Sequence, residues 1–160
     1  MEEDINKYQG LKEAAQELYN NINSVFSPAL KEKIIFQAEG FNHIVFKKDH
    51  SERERSSQFL RFKLILLAKK LIELSTTYQE FEETIKEFAV KKYKRKIKEN
   101  KAVKYWGIIA IIDGRKIKVI LRKIGNSGSS HFWSIIPAWK TNKYRDMRFF
   151  TTMRGNPEED

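Results

Sequence analysis

Cysteine is absent from this chain of 160 residues. A disulfide framework, a thiolate nucleophile and a zinc–thiolate site are therefore excluded. Only seven glycines and three prolines are present, which leaves little room for a flexible linker. The longest uninterrupted apolar runs, at 64–68 and 108–112, have five residues each, whereas a membrane-spanning helix needs about 20. These absences favour a single globular domain without transmembrane helices.

The first ten residues, MEEDINKYQG, are polar and acidic. A secretory signal peptide has a basic start and an apolar stretch, and a transit peptide is rich in arginine and poor in acids. Neither kind of leader is indicated here. We therefore expect a cytoplasmic protein that has no membrane partner.

Positive charge is the main excess, with 31 Lys and Arg against 21 Asp and Glu and a net charge of +10. The charge is unevenly placed. Residues 1–50 hold six basic and eight acidic residues, whereas residues 86–123 hold fourteen and three. A surface of this sign favours polyanions, with nucleic acid first and an anionic membrane or an acidic protein second. A polyanion site should therefore lie in the second half of the chain.

Hydrophobic periodicity predicts mainly helices in the first half of the chain. Apolar residues at helical spacing indicate an amphipathic helix over 5–26, with a mild break near Gly10 and an end at Ser27–Pro28. The elements predicted after it are a strand over 33–37, a helix over 40–48 that begins at Gly40, a helix over 58–75, and a turn or helix over 78–88.

The pattern changes to strands in the second half. The β-rich runs 103–112 and 115–124 are separated by Asp113–Gly114, and an Asp-Gly pair suits the type I′ turn of a hairpin. The strands predicted after this hairpin are 131–137, which follows the loop GNSGSS, and a candidate fourth over 147–154. This order predicts an α+β fold in which N-terminal helices pack on a C-terminal antiparallel meander of about four strands.

The lysine-rich run VKKYKRKIKENK, residues 90–101, has two interpretations. Alternation of Tyr93, Arg95 and Ile97 suits a strand, and a lysine-rich helix fits the composition equally well. Such a charge run is more often a solvated face than a dedicated binding element. Its position in the basic half nevertheless makes it a candidate for contacts with nucleic acid.

The Asp113–Gly114 turn also predicts the register of the hairpin. Ile112 then faces Arg115 and Tyr105 faces Arg122, and side chains alternate between the two faces. The face expected to pack against the helices holds Trp106, Ile108, Ala110, Ile117, Val119 and Leu121. The opposite face holds Tyr105, Gly107, Lys116, Lys118 and Arg122. Three cations beside an aromatic ring and a small residue suit a phosphate-binding floor, although an ordinary solvated face has a similar composition.

The third strand, HFWSIIP, has an open register because a six-residue loop precedes it. In one register Ser134 shares the face of Arg122, and in the other His131 does. Either way a polar residue that can exchange a proton or a hydrogen bond lies beside Arg122. The segment is therefore predicted to be core on one side and a candidate wall of a site on the other.

A second candidate lies in GFNHIVFKK, residues 40–48. A helix here would turn Phe41, Ile44 and Val45 inward and leave His43 and Lys47, four residues apart, on one face. A lone histidine is more often structural than catalytic. The case for a functional role of His43 depends on a further observation.

That observation is a resemblance carried by EGFNHIVFKK (39–48) with RFKLILLAKKLI (61–72), and by the run 103–140. These segments resemble the phage-associated branch of the barnase–EndoU–colicin–RelE ribonuclease superfamily, which comprises small toxin-like RNases of phages and mobile elements. The shared features are a helix-borne histidine, an Arg/Lys pair on a strand and a polar residue in the last core strand. The resemblance divides the single domain, 1–160, into a helical N-terminal extension, 1–32, and a nuclease-like core, 33–154.

The resemblance implies RNA cleavage by transphosphorylation from the 2′-hydroxyl, without a metal or another cofactor. A base removes the proton of the RNA 2′-hydroxyl, the oxygen attacks the adjacent phosphorus, and an acid protonates the 5′-oxygen. Cations stabilise the charge of the transition state. Barnase-like members use a glutamate on the sheet as the base, and the strands predicted over 103–137 contain none.

Carried over by position, His43 would be the general base or acid. Arg122 would hold the phosphoryl oxygens with help from Lys118. Ser134 would hydrogen-bond the phosphate, and His131 is the reserve acid. The residues expected to bind RNA are Lys47, Lys94, Arg95, Lys96, Tyr105, Lys116 and Lys140.

Two other functions fit the same sequence. One is a non-catalytic module that binds RNA or DNA through the basic region 86–123. The other is a subunit that binds an acidic antitoxin or immunity protein, and such a partner is also compatible with a toxin-type ribonuclease. The leading hypothesis is a toxin-type endoribonuclease whose partner is RNA.

Overall fold

A computed structural model of the protein describes residues 2–137, which form four helices and a six-stranded sheet. The fold is α+β, as the sequence predicts. The helices are α1 (Glu2–Ile22), α2 (Ala38–Val45), α3 (Arg55–Lys63) and α4 (Ile65–Leu74). The strands are β1 (Ser24–Ser27), β2 (Glu32–Ile35), β3 (Glu80–Lys92), β4 (Arg95–Ile112), β5 (Arg115–Ile124) and β6 (His131–Pro137). No helix within residues 2–137 is long and apolar enough to cross a membrane.

The sheet has the strand order β1-β2-β6-β5-β4-β3. β3 to β6 follow one another as an antiparallel meander, so four strands form the expected motif. β1 and β2 add an antiparallel pair, and β2 joins β6 in parallel where Ile35 faces His131. The sheet is therefore mixed and larger than predicted. The strand predicted over 147–154 lies outside the described residues.

Four predicted helical segments differ in the structure. The helix predicted over 40–48 is α2, which begins before Gly40 and ends at Val45. The first helix ends at Ile22, and Asn23, with φ +60°, leads into β1. The segment 58–75 is two helices, because a turn at Leu64 separates α3 from α4. The prediction of a turn or helix over 78–88 is wrong, since Glu80–Lys92 is a strand. All thirteen of its residues pair with β4, and this long-range pairing overrides the weak helix preference of its Glu and Lys residues.

The predicted register of the β4–β5 hairpin is confirmed. Ile112 pairs with Arg115 and Tyr105 pairs with Arg122. The predicted apolar face also packs on the helices: Ile108, Ile117, Val119 and Leu121 belong to the buried core, with Trp106 and Ala110 packed against it. The opposite face, which carries Tyr105 and Arg122, is called the cleft face below.

Helix α2 lies very close to β6, and this contact sets the geometry of the candidate site. A Cβ atom on Gly40 would lie 2.3 Å from the hydroxyl oxygen of Tyr19 and 2.7 Å from the carbonyl oxygen of Phe132. The fully buried Tyr19 donates a hydrogen bond of 2.6 Å to the carbonyl oxygen of Gln37, just before α2. Glycine is therefore required for α2 to approach β6 this closely.

Candidate active site

A β-bulge in β6 resolves the open register of the third strand. His131 pairs with Arg122, and Ser134 pairs with Ile120. Only Leu121 lies between the two β5 residues, whereas two residues, Phe132 and Trp133, lie between their partners, so the bulge adds one residue to β6. Each of the two predicted registers therefore holds for part of β6. His131 lies opposite Arg122, and Ser134 lies on the same face after the bulge.

Arg122 is held from several directions at the centre of the cleft face. Its Nη2 donates to Glu39 Oε2 at 2.7 Å, and its Nε donates to His131 Nε2 at 2.8 Å. The guanidinium carbon lies 3.6 Å from the ring centre of Trp133, which is a cation–π contact. The side chain of Tyr105 also hydrogen-bonds Arg122, and burial lowers the pKa of the guanidinium. Arg122 therefore has a fixed orientation.

Helix α2 brings a second predicted catalytic residue, His43, to Trp133. The His43 ring stacks on Trp133 with centres 4.4 Å apart and an angle of 19°. Phe41, Ile44 and Val45 are buried as predicted, but His43 is buried as well, with 6% of its surface exposed. Trp133 therefore contacts both predicted catalytic residues, His43 and Arg122.

Both histidines of the cluster are neutral at pH 7. Burial, followed by the charges of Arg53, Arg61 and Arg122, lowers the pKa of His43 to about 3. Burial, followed by the charge of Arg122, lowers the pKa of His131 to about 4. Arg53 Nη2 lies 3.4 Å from His43 Nε2. Arginine can only donate, so Nε2 of each ring is an acceptor and the ring proton is on Nδ1.

Two adjoining cavities open beside this cluster. The first has a volume of about 470 Å³, and the residues that line it are Glu39, Asn42, His43, Phe46, Lys47, Lys48, His50 and Trp133. The second has a volume of about 380 Å³, and the residues that line it are Lys48, Lys86, Glu87, Phe88 and Arg122. They share Lys48, and Trp133 of the first contacts Arg122 of the second. The two together are called the cleft.

Lys86 brings a further titratable group to the cleft. Its Nζ lies 3.0 Å from the hydroxyl oxygen of Tyr105. Burial, followed by the charges of Lys48 and Arg122, lowers the pKa of Lys86 to about 8. This pKa suits proton transfer near neutral pH better than that of an ordinary lysine. Tyr105 connects the two cations, since it contacts both Lys86 and Arg122.

Lys118 does not take the predicted role of assisting Arg122 at the phosphate. Its Nζ forms an ion pair of 2.7 Å with Glu80 Oε2, and both side chains are fully buried. Gly107 provides space for this pair: a Cβ there would lie 3.1 Å from Glu80 and 3.4 Å from Lys118. That space holds Glu80 of β3, because β3 is a strand and not a helix.

Ser134 lies on the cleft face but does not line the cleft. It is fully buried, and its Oγ lies 3.3 Å from Nη1 of Arg61 in α3. The same Arg61 nitrogen donates to the carbonyl oxygen of Ile135 at 2.8 Å. Arg61 thus ties α3 to β6, and Ser134 takes part in this structural contact. The structure brings His131, and not Ser134, into contact with Arg122.

The predicted RNA-binding residues fall into separate groups. Lys47 lines the cleft, and Tyr105 is fully buried beneath Lys86 and Arg122. Lys94 lies in the turn of the long β3–β4 pair, and Arg95 and Lys96 follow it at the start of β4. Lys116 lies at the far end of β5, six residues from Arg122, which corresponds to ~20 Å along the strand. Lys140 lies outside the described residues.

Four residues of the cluster were missed by the sequence analysis as site residues. Glu39, Arg53 and Trp133 contact His43 or Arg122, and Lys86 contacts Tyr105. Glu39 immediately precedes the segment that contains His43, and Trp133 lies in the strand singled out for its polar residues. Both residues could therefore have been recognised from the sequence as candidates. Arg53 lies in the charged run SERERSS, where nothing distinguishes the one buried arginine from its exposed neighbours.

Within residues 2–137, no group of three or more His, Cys, Asp or Glu side chains is arranged to hold a metal ion. No family model, no curated protein and no solved structure matches this chain. The residues of the cleft are therefore the basis for assigning a function.

Proposed function

We propose that the protein is a metal-independent endoribonuclease that cleaves RNA by transphosphorylation, as the toxin-type ribonucleases that its sequence resembles do. One observation carries the proposal. A rigidly held arginine, Arg122, lines one cavity of the cleft and contacts Trp133 of the other. The neutral His131 contacts Arg122, the neutral His43 lines the second cavity, and lysines line both cavities. This combination supplies a phosphate ligand, proton-exchanging groups and attraction for a polyanion.

In the proposed complex, the scissile phosphate takes the place of the Glu39 carboxylate on Arg122. This carboxylate accepts from Arg122 at 2.7 Å while the Glu39 side chain remains 65% exposed. A phosphate offers oxygens of the same charge and hydrogen-bonding character to a guanidinium. Incoming RNA would displace Glu39 into solvent at small cost, whereas His131 and Trp133 keep the guanidinium in place. His131 thereby acts as a positioning residue.

His43 is the candidate base. Its neutral ring can accept a proton, but its pKa is about 3 in the free protein because of burial and three arginines. The negative charge of a bound phosphate offsets the charges of Arg53 and Arg122, which raises the pKa of His43. The ring must also exchange its contact with Arg53 for one with the 2′-hydroxyl. Substrate binding therefore converts His43 into a more effective base.

The proposed step balances as follows. The 2′-hydroxyl proton passes to His43, the bond from the 2′-oxygen to phosphorus forms, and the bond from phosphorus to the 5′-oxygen breaks. The leaving 5′-oxygen takes a proton from Lys86, whose pKa of about 8 suits a general acid near neutral pH. The products are a 2′,3′-cyclic phosphate and a 5′-hydroxyl.

The test is incubation of the purified protein with RNA in EDTA, followed by analysis of the product ends. We expect cleavage with 2′,3′-cyclic phosphate or 3′-phosphate ends. Arg122→Ala should lower the rate by roughly 10²–10³-fold, since it removes a transition-state charge contact. Arg115→Ala removes an exposed arginine of the same strand and serves as the control. A strict Mg²⁺ requirement, or 3′-hydroxyl ends, would refute the mechanism.

A second candidate function is a non-catalytic RNA-binding module. It is favoured by one observation, namely that Nε2 of His43 and Nε2 of His131 both accept hydrogen bonds from arginines. A binding module predicts no cleavage in any buffer and an equal affinity loss for RNA with and without 2′-hydroxyls when Arg122 is replaced. The EDTA experiment separates the two functions.

A further inference from the structure

The β3–β4 pair extends well beyond the rest of the sheet. The pairing of β4 with β5 extends from the hairpin turn only as far as Val103, which faces Ile124. From Ile85, which faces Ala102, to Lys92, which faces Arg95, the two strands pair only with each other. This two-stranded segment, residues 85–102, is called the ribbon. Its eight residue pairs correspond to a length of ~26 Å.

The two faces of the ribbon differ in composition. The face continuous with the cleft face holds Lys86, Phe88, Val90, Lys92, Arg95, Ile97, Glu99 and Lys101. The opposite face holds Ile85, Glu87, Ala89, Lys91, Lys96, Lys98, Asn100 and Ala102. The first face thus combines four cations with three large or medium apolar side chains. The second has three cations and one large apolar residue.

The base of the ribbon belongs to the cleft. Phe88 packs against the buried residues Val103, Tyr105 and Ile120 of the cleft face. Lys86 and Phe88 also line the cavity next to Arg122. Along β3 the cleft-face residues from Lys86 to Val90 are half-buried, whereas those of the opposite face are exposed. A chain bound along the cleft face of the ribbon would therefore be led to Arg122.

The turn at the end of the ribbon exposes an aromatic side chain. Tyr93 and Lys94 both have positive φ, +52° and +63°, as the central residues of a type I′ turn do. Asn-Gly is the most favourable pair for such a turn, and tyrosine is a poor residue at positive φ. Tyr93 is nevertheless 94% exposed. Neither backbone preference nor burial explains a tyrosine at this position.

We propose that the ribbon is a binding arm for single-stranded RNA. The phosphates lie along Lys92, Arg95 and Lys101, one base stacks on the exposed Tyr93 and another contacts the half-buried Phe88, and the strand continues to Arg122. Cations interspersed with aromatic rings are typical of single-strand binding surfaces. A regular RNA duplex fits less well, because its deep, narrow major groove does not admit a ribbon. The choice of RNA rests on the proposed function.

The first experiment replaces the turn with Tyr93→Asn and Lys94→Gly together. Because Asn-Gly suits the turn, the free energy of unfolding should rise or stay unchanged. The affinity for a labelled 20-nucleotide single strand should fall by roughly 5-fold to 100-fold, the range expected for losing one base stack. Tyr93→Phe keeps the stacking ring and should retain the affinity. Unchanged RNA affinity in the turn variant would overturn the role of Tyr93.

The second experiment compares the two faces through matched pairs of facing cations. Lys92→Gln with Arg95→Gln alters the cleft face, and Lys91→Gln with Lys96→Gln alters the opposite face one residue pair further from the turn. The slope of log affinity against log salt should become shallower by about 0.7 for each lost phosphate contact, and only for the cleft-face pair. Equal effects of both pairs, or no effect of either, would overturn the proposed path.

The RNA in these measurements carries 2′-O-methyl groups, which block cleavage, so that binding is read independently of the proposed reaction. If the ribbon variants lose affinity while natural RNA is never cleaved, the proposed function fails and the ribbon assignment stands. If RNA is cleaved with unchanged affinity in all variants, the ribbon assignment fails alone. Equal competition by a DNA duplex of the same length would overturn the assignment to single-stranded RNA.

Discussion

Two cations on the same face of β5 form ion pairs with very different surroundings. Lys118 and Glu80 are both fully buried. Arg122 is also buried, but its partner Glu39 is 65% exposed. Removing either member of the first pair leaves a charge without compensation in the core, whereas Glu39 can turn into water. We therefore expect Arg122, and not Lys118, to be available to a ligand, because Glu39 can leave without a large solvation cost.

The largest expected effect breaks the buried pair. Lys118→Met should lower the free energy of unfolding by about 3–5 kcal/mol, because Glu80 remains as a buried charge. Replacing both residues, Lys118→Met with Glu80→Leu, should restore much of this loss. Urea unfolding measures both variants, and Arg115→Met on the same strand is the control. A loss below about 1 kcal/mol for the single variant would contradict the comparison.

A smaller effect is expected from the protonation of His43 and His131, whose pKa values the charge of Arg122 helps to lower. The pKa values of His43 and His131 are lowered to about 3 and about 4, below the unfolded value near 6.5. Protons therefore bind the unfolded chain more readily. The corresponding stability is complete above pH ~6.5 and is lost as pH falls toward 4 and 3. The loss can reach a few kcal/mol, since a tenfold change in proton affinity is worth about 1.4 kcal/mol.

Urea unfolding at pH 7, 5.5 and 4.5 measures this dependence. His43→Gln and His131→Gln should each make stability less sensitive to pH over this interval. His50→Gln, at an exposed site, is the control. If the free energy of unfolding of both cleft variants depended on pH as that of the unmodified protein does, the arginine-rich surroundings would not act on these rings.

The smallest effect on stability is expected at the ion pair of Arg122 with the exposed Glu39. Glu39→Gln should change the free energy of unfolding by less than about 1 kcal/mol, as expected for an ion pair with one exposed partner. It should also raise RNA affinity several-fold, because the carboxylate no longer competes with phosphate for Arg122. Glu73→Gln removes an exposed glutamate that pairs with Lys69 and provides the control. Weaker RNA binding by Glu39→Gln would contradict the displacement model.

The part of the fold that the sequence predicted well depends on local signals. Asp113–Gly114 determines both the turn and the register of β4 and β5, so the faces of the hairpin followed directly. β3 was missed because its Glu and Lys residues suit a helix and its strand character comes from pairing with β4. The parallel contact of β2 with β6 likewise joins segments about a hundred residues apart, which no local pattern predicts.

The sequence predicted the candidate site only in part, again because local patterns do not show long-range contacts. His43, Arg122 and His131 are brought together by Trp133 and by direct hydrogen bonds. Lys118 and Ser134 differ because their partners, Glu80 and Arg61, come from elements that sequence alone does not position. Alternation along a strand shows which side chains share a face, but not what covers that face.

The single parallel contact between Ile35 and His131 also has a consequence for the order of folding. The meander is built from neighbours in the chain, whereas this contact closes a loop of about a hundred residues, and such closures cost the most chain entropy. Glu39 and His43 arrive with the N-terminal segment, and Arg122 and His131 with the meander. The two halves of the cleft should therefore meet late in folding, and RNA cleavage should appear during refolding only with the slowest phase of tryptophan fluorescence.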